Sequence, residues 1–289
     1  MFSEELLRNI LYAVLFFVAL GACSGILLAV ADRLFAVKQD PRIPQIQQCL
    51  PGANCGGCGY TGCAACAEAI AKGQAKISAC PVGGQEVASA IASVMGVEAE
   101  KTVRMRAQVM CSGTAGVAKL KYLYQGAADC AAASRIGGGN KLCPNGCIGL
   151  GSCASICPFG AIRIQNGVAF VDYRTCRGCG LCADACPKHI IRLVPFEASE
   201  WVGCSCQEKG ALTRNYCDAG CIGCRLCEKK CPADAIHVTG ALAAIDYEKC
   251  IGCGACATSC PRGIIHTANM QSCSSNKVQT NPQTERINP

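Results

Sequence analysis

Hydrophobic and polar positions are spread very unevenly along this chain. From Asn9 to Ala31, "NILYAVLFFVALGACSGILLAVA" runs for 23 residues without a charge, which predicts a helix long enough to cross a bilayer with some tilt. Glu4, Glu5 and Arg8 precede it, while Arg33, Lys38 and Arg42 follow. That balance predicts a single pass through the cell membrane with the remainder on the cytoplasmic side. The competing reading is a cleaved signal, or a lipoprotein signal ending at Cys23. Beyond the span the pattern changes. "AACAEAIAKG", residues 64–73, is Ala-rich and predicts one helix ended by Gly73. "AIRIQNGVAFVDY" and "AIHVTGALAAIDY" alternate over short stretches and predict two β-hairpins. The polar tail from residue 269 is expected to be disordered.

Composition explains how such short elements could hold together. The 289 residues include 29 cysteines, with only 5% aromatic and 16% charged residues, so large apolar cores are not the main source of stability. A disulfide framework fits poorly, because gaps of two and three residues are too close for most unstrained disulfides. Zinc sites use separate C-x2-C pairs or Cys/His mixtures with longer spacers. The three histidines, His189, His237 and His266, each follow a C-P and read as strand or turn residues. Thiolates converging on small iron–sulfur centres fit best, and each short module is expected to unfold without its centre.

Three runs, at 176–187, 221–232 and 250–261, read C-x2-C-x2-C-x3-C-P. Residues 157–187 align without gaps on 231–261, sharing C-P-x2-A-I, an Asp-Tyr and C-x-G-C-G-x-C. This is the two-cluster ferredoxin pattern, in which the fourth Cys of each run ligates the other cluster. The swap groups Cys221, Cys224, Cys227 and Cys260; Cys231, Cys250, Cys253 and Cys256; and Cys157, Cys176, Cys179 and Cys182. The opening run, "CPNGCIGLGSCASICP", keeps Cys147, Cys153 and Cys186 but has Leu150 at its second ligand position. Cys143 is the expected fourth ligand, with a three-iron centre as the alternative. Nearer the membrane, Cys55, Cys58, Cys63 and Cys80 form a C-x2-C-x4-C-x16-C set. Glycines between them let the backbone wrap a centre and aim N–H groups at sulfur.

Those five sets leave nine cysteines. Cys111, Cys130, Cys204 and Cys217 are expected to close a sixth site, with Cys206 spare; a permutation of Cys143 with Cys217 or Cys130 stays open. Cys23, Cys49, Cys66 and Cys273 are left outside the ligand sets. The cofactors expected are therefore five or six [4Fe–4S] clusters. Each occupied site carries about 2−, so six would turn the formal +7 into roughly −5. The basic balance then offsets cluster charge and is no sign of nucleic-acid binding. Lys119, Lys121, Lys229 and Lys230 are the basic residues expected to help dock an acidic donor. No G-x-G-x-x-G stands between a strand and a helix; "RIGGGNK", 135–141, reads as a linker.

Together these features resemble the RnfB subunits of the Rnf (Rsx) membrane complexes. The resemblance is carried by the span, "PGANCGGCGYTGCAACAEAI", the "CPVGG" holding Cys80, and the duplicated ferredoxin runs. It is similar to the long form, with two ferredoxin units. It implies an electron-transfer subunit of a translocase-type ferredoxin:NAD+ oxidoreductase, without a separate catalytic site on this chain. Electrons would come from soluble reduced ferredoxin and pass to membrane and flavin-binding partner subunits that reduce NAD and move Na+ or H+. The expected fold is α+β: a transmembrane anchor in membrane lipid (1–33), a small helical [4Fe–4S] domain (34–85), a linking segment with extra Cys ligands (86–141), a ferredoxin-like unit (142–197), an insertion (198–216), a second unit (217–268) and the tail. A polyferredoxin subunit of a membrane hydrogenase or formate-oxidising complex is the alternative reading. A zinc- or disulfide-held scaffold is the alternative from another class.

Overall fold

The computed structural model describes residues 4–35 and 40–267; the tail and Cys273 lie outside them. Contacts divide the chain into two parts, at Ile43 and Pro44. The first is dominated by helix α1 (Glu4–Phe35). Its side chains are exposed along the apolar stretch, Phe16, Phe17 and Leu27 among them. A helix this long and apolar over Arg8–Arg33 can cross a membrane, and no described residue covers its apolar surface.

Helix α2 (Arg42–Cys49) spans that division, and α3 (Cys63–Ala71) and α4 (Gly84–Met95) follow it. As expected, α3 stops at the left-handed Gly73, whose N–H donates to the Ile70 carbonyl. The rest alternates strands with very short helices: β1 (Met105–Val109), α5 (Cys130–Arg135), α6 (Ser152–Ser155), β2 (Ile162–Gln165), β3 (Val168–Val171), α7 (Leu181–Asp184), β4 (Ile191–Pro195), β5 (Glu200–Val202), α8 (Gly210–Tyr216), α9 (Leu226–Lys230), β6 (Ile236–Thr239), β7 (Leu242–Ile245), α10 (Ala255–Thr258) and β8 (Ile265–Thr267).

Both expected hairpins are present. β2 pairs with β3 across Asn166–Gly167, both at positive φ, the requirement of a tight hairpin turn. β6 pairs with β7 in the second repeat. Two further pairings have no local turn behind them. β1 lies antiparallel to β4, Val109 opposite Ile191, and β5 antiparallel to β8, Val202 opposite Ile265. Residues 86–141 and 198–216 therefore do more than link, since β1 adds a strand to the first repeat and β5 adds one to the second.

Each repeat has its own core. Ile162, Val168, Ile190 and Ile191 pack with Ala107 and Val109 around Cys147, Cys153, Cys176 and Cys182. Ile236, Val238, Ile264 and Ile265 pack with Val202 around Cys221, Cys227 and Cys256. Both cores are mostly β-branched side chains and cysteine sulfur, so the thiols sit inside the hydrophobic layer.

Candidate metal centres

Three of the sets read from spacing come together in space, as do Cys250 and Cys256 of a fourth. Cys55, Cys58, Cys63 and Cys80 line one cavity. Asn54, at φ 46°, turns the chain there and accepts from the Cys63 N–H at 2.8 Å. Cys66 joins this cavity; burial, then the neighbouring Cys58, Cys80 and Cys63, push its thiol up to about 12. Cys221, Cys224, Cys227 and Cys260 line another cavity, where the fourth cysteine arrives from the other run of its unit. In the first repeat, burial and then Cys176, Cys179 and Cys157, with Cys153 of the next set, raise Cys182 to about 12. In the second, Cys256 is raised to about 11 by burial, Glu200 and Cys250, while the Ala235 N–H donates to Cys231 Sγ at 3.3 Å.

At the irregular run the thiols group by the exchange of Cys143 with Cys130 that the spacing left open. Its cavity is lined by Cys147, Cys153, Cys186 and Cys130, and not by Cys143. Burial, then Cys147, Cys130 and Cys186, push Cys153 up to about 12. Cys130 opens α5, where Asp129 caps the helix and the Cys130 N–H donates to Ser152 Oγ at 2.7 Å. Ser152 in turn donates to Asp129 at 3.1 Å, so α5 is tied to α6, which carries Cys153. Leu150, standing where the motif would have a cysteine, packs against Cys130 and Ile148. Pro144–Gly146 meanwhile forms a turn, Gly146 N–H to Cys143 O at 3.1 Å, that faces Cys143 elsewhere.

Cys143 instead meets Cys206, with Cys204 close by, and burial with these thiols raises it to about 12. Cys111 and Cys204 face each other across an antiparallel seam: the Ser112 N–H donates to Gly203 O at 2.8 Å, and Ser205 Oγ donates to Met110 O at 2.9 Å. Cys217 lies beside Cys111, both thiols standing against Gly113. Five cysteines thus surround the joint between the repeats.

Backbone N–H groups are aimed at several of these sulfurs. Cys176 Sγ accepts from Gly178 and Ala107, Cys147 Sγ from Gly149 and Ala169, and Cys179 Sγ from Leu181. At the joint the same two-residue step recurs: Asn145 donates to Cys143, Cys206 to Cys204, and Ala219 to Cys217. Cys111 accepts from the Cys147 N–H at 3.4 Å. Cys206 Sγ, 1% exposed, instead meets the Thr213 hydroxyl at 3.4 Å. Such N–H groups stabilise thiolate over thiol, whereas burial favours the neutral thiol. Four buried thiols cannot all ionise beside each other unless a cationic core replaces their protons. The donor sets therefore fit iron–sulfur cores.

Several sets touch. A side chain on Gly57 would stand 2.7 Å from Cys179 O, so the membrane-proximal loop lies directly on the Cys179 loop. The Cys147 N–H reaches Cys111 Sγ, and the Cys221 N–H reaches Cys204 Sγ at 3.3 Å.

Residues 50–82 match the family described as a putative Fe-S cluster. Residues 143–190, 175–235 and 220–264 match the 4Fe-4S dicluster domain. The chain is 42% identical to the B component of the ion-translocating oxidoreductase complex of Methanosarcina acetivorans, over 80% of this chain and 88% of that one. It is 44% identical to the B component of the Na(+)-translocating ferredoxin:NAD(+) oxidoreductase complex of Acetobacterium woodii, over 79% and 69%. The proton-translocating counterpart of Clostridium ljungdahlii is 36% identical over 78% and 81%. The chain belongs to the RnfB family. It is an iron–sulfur electron-transfer subunit of an ion-translocating, translocase-type complex, and the dicluster matches make its cofactors [4Fe–4S] clusters.

Sequence reasoning missed two features of these centres. The Cys111 and Cys204 seam has a short signal, V-x-C-S at 109–112 and 202–205. The other is Lys141, placed in a linker by sequence: it is 5% exposed, and its ammonium donates to Gly113 O at 2.7 Å and Gly167 O at 2.8 Å.

Proposed function

We propose that this chain takes low-potential electrons from soluble reduced ferredoxin and hands them to membrane and flavin-binding partner subunits that reduce NAD and move Na+ or H+. Six [4Fe–4S] sites serve it. Five are those formed by the motifs, with Cys130 in place of Cys143 beside Cys147, Cys153 and Cys186. The sixth is held by Cys111, Cys143, Cys204 and Cys217, with Cys206 outside it. When bound, each cluster supplies one-electron redox chemistry.

The protein's part is to place these sites in one series and keep them dry. The observation that carries the reading is the backbone contact between successive sets: Gly57 on Cys179, Cys147 N–H on Cys111, and Cys221 N–H on Cys204. Ile190, Ile191, Ile236 and Ile264 fill the space around the thiols and exclude water. The apolar span holds no charge between Asn9 and Ala31, and ion pathways through membranes use ionisable or polar groups, so the ion path belongs to partner subunits. The basic residues after the span put the cluster-bearing part on the cytoplasmic side, where ferredoxin is available.

The test is to mix the full chain, purified without oxygen, with reduced ferredoxin and follow the loss of visible cluster absorption. About six electrons per chain are expected, with about 24 iron and as many sulfides. A colourless or zinc-loaded chain, or one that ferredoxin leaves oxidised, overturns the reading.

A further inference from the structure

The repeats share more than their cysteine runs. Val109, which ends β1, and Cys111 and Ser112 beyond it correspond to Val202, which ends β5, and Cys204 and Ser205 beyond it. Cys143, four residues before Cys147, corresponds to Cys217, four before Cys221. Contacts repeat too. The Cys147 N–H donates to Cys111 Sγ as the Cys221 N–H does to Cys204 Sγ. Lys188 donates to Pro144 O at 2.8 Å, and Arg262 to Cys217 O at 2.9 Å, each tying down the loop ahead of its run. The joint site proposed above thus takes one equivalent pair from each copy.

One group breaks that symmetry. Lys141 is buried beside Cys147 and Cys217, and the gap-free alignment places Asn215, exposed and uncharged, opposite it in the second copy. Among the described residues Lys141 makes no ion pair. Its two carbonyl acceptors, Gly113 and Gly167, are dipoles rather than charges. A buried ammonium is disfavoured without an anion nearby. The anions available on this reading are the two sites it stands between, each near 2− when filled.

We propose that Lys141 polarises the joint between the repeats: its fixed charge raises the reduction potential at the Cys147 site and the joint site above that at the Cys221 site, and so draws electrons from the second repeat toward the first. A one-electron hop forms and breaks no bond and moves no proton. The inference rests on the reading that the joint holds a cluster. A unit charge about 10 Å from a centre, screened by an effective dielectric of about 20, shifts its reduced-to-oxidised ratio about tenfold.

The experiment is a redox titration followed by electron paramagnetic resonance, with iron content, on the full loaded chain and on Lys141→Gln and Lys141→Arg. In Lys141→Gln two midpoints should fall, the reduced-to-oxidised ratio dropping about tenfold at fixed potential, or about 59 mV for one electron. The other four should stay, and Lys141→Arg should match the unsubstituted chain. Loss of iron from those two sites alone in Lys141→Gln, spared in Lys141→Arg, also supports the proposal. Full iron with unmoved midpoints overturns it, as does general iron loss in both variants, which would make Lys141 a prop. About 20 iron in the unsubstituted chain, unchanged by Cys111→Ser, would instead remove the joint cluster itself.

Discussion

Exchanging the places of Cys130 and Cys143 has a sharp consequence for paired substitutions. Each single Cys→Ser change weakens one site under either grouping, so single variants do not discriminate. Pairs with Cys153 do. Cys130 and Cys153 line the same cavity, so the double variant Cys130→Ser/Cys153→Ser leaves one site with two ligands and the other five intact. A four-iron core cannot be held by two cysteines, and about 20 iron and about 20 sulfide should remain of the full 24. Cys143 stands with Cys206 and Cys204, so Cys143→Ser/Cys153→Ser leaves two sites with three ligands each. Loss of both clusters leaves about 16 iron, two three-iron cores leave about 22 iron with about 24 sulfide, and one of each leaves about 19 iron with about 20 sulfide and a three-iron paramagnetic signal. None of these coincides with 20 of each and no three-iron signal. The assay is colorimetric iron and sulfide per chain on anaerobically purified protein. Were the spacing-based grouping right, with Cys143 on the irregular run, the two double variants would exchange results, and that exchange would refute the geometry.

Three further outcomes follow from the packing. Ser152→Ala removes the acceptor of the Cys130 N–H and should cost about 1 kcal/mol, with faster iron release to a chelator from one site only. Gly57→Ala drives a methyl group to 2.7 Å from Cys179 O; it should cost about 1–3 kcal/mol in thermal unfolding and slow electron exchange with the membrane-proximal site at unchanged iron. An unchanged rate would take that contact out of the path. Burial holds His266 below its usual 6.5, so its neutral ring supports the β5–β8 seam above pH 6.5 and that support is lost as pH falls below it. Hydrogen exchange at Val202 and Ile265 should speed up over that window, and His266→Gln should flatten the dependence.

What was legible in the sequence was local. The span, the α3 helix with its Gly73 stop and the two hairpins depend on neighbours a few residues away, and spacing alone grouped three sets of cysteines that the fold brings close. The irregular run depended on something else. Cys143 is near Cys147 in sequence, but the turn through Pro144–Gly146 faces it toward Cys206, and the cysteine that shares the cavity of Cys147 and Cys153 arrives from 20 residues upstream of Leu150 on a helix of six residues. That helix is too short to predict from periodicity. It is held by an Asp129–Ser152 contact that only the folded chain makes. β1 and β5 escaped for a similar reason, since three to five residues paired to a strand over 60 positions away leave no hairpin signal. Lys141 sat in a Gly-rich stretch, where a charge reads as solvated until the structure shows what surrounds it.

The duplication accounts for why these particular features were hard to see. A ferredoxin pair needs only its own eight cysteines; the second copy has all of them and the first lacks one, at Leu150. The extra Cys111, Cys143, Cys204 and Cys217 lie where the copies meet, and Leu150 in the first run packs against Cys130. Independent modules joined by a flexible linker would place their terminal sites at variable separation, and electron transfer between them would wait on diffusion. Here the Cys147 and Cys221 amides each donate to a sulfur at the joint, so each copy's first ligand is fixed to the shared site through one hydrogen bond. The strands β1 and β5 brace that arrangement from outside, because each leads within two residues into one of the joint's cysteines. Strand pairing, thiol placement and site spacing are therefore one constraint. A substitution that frees either strand should disturb conduction between the copies before it disturbs either copy's own core.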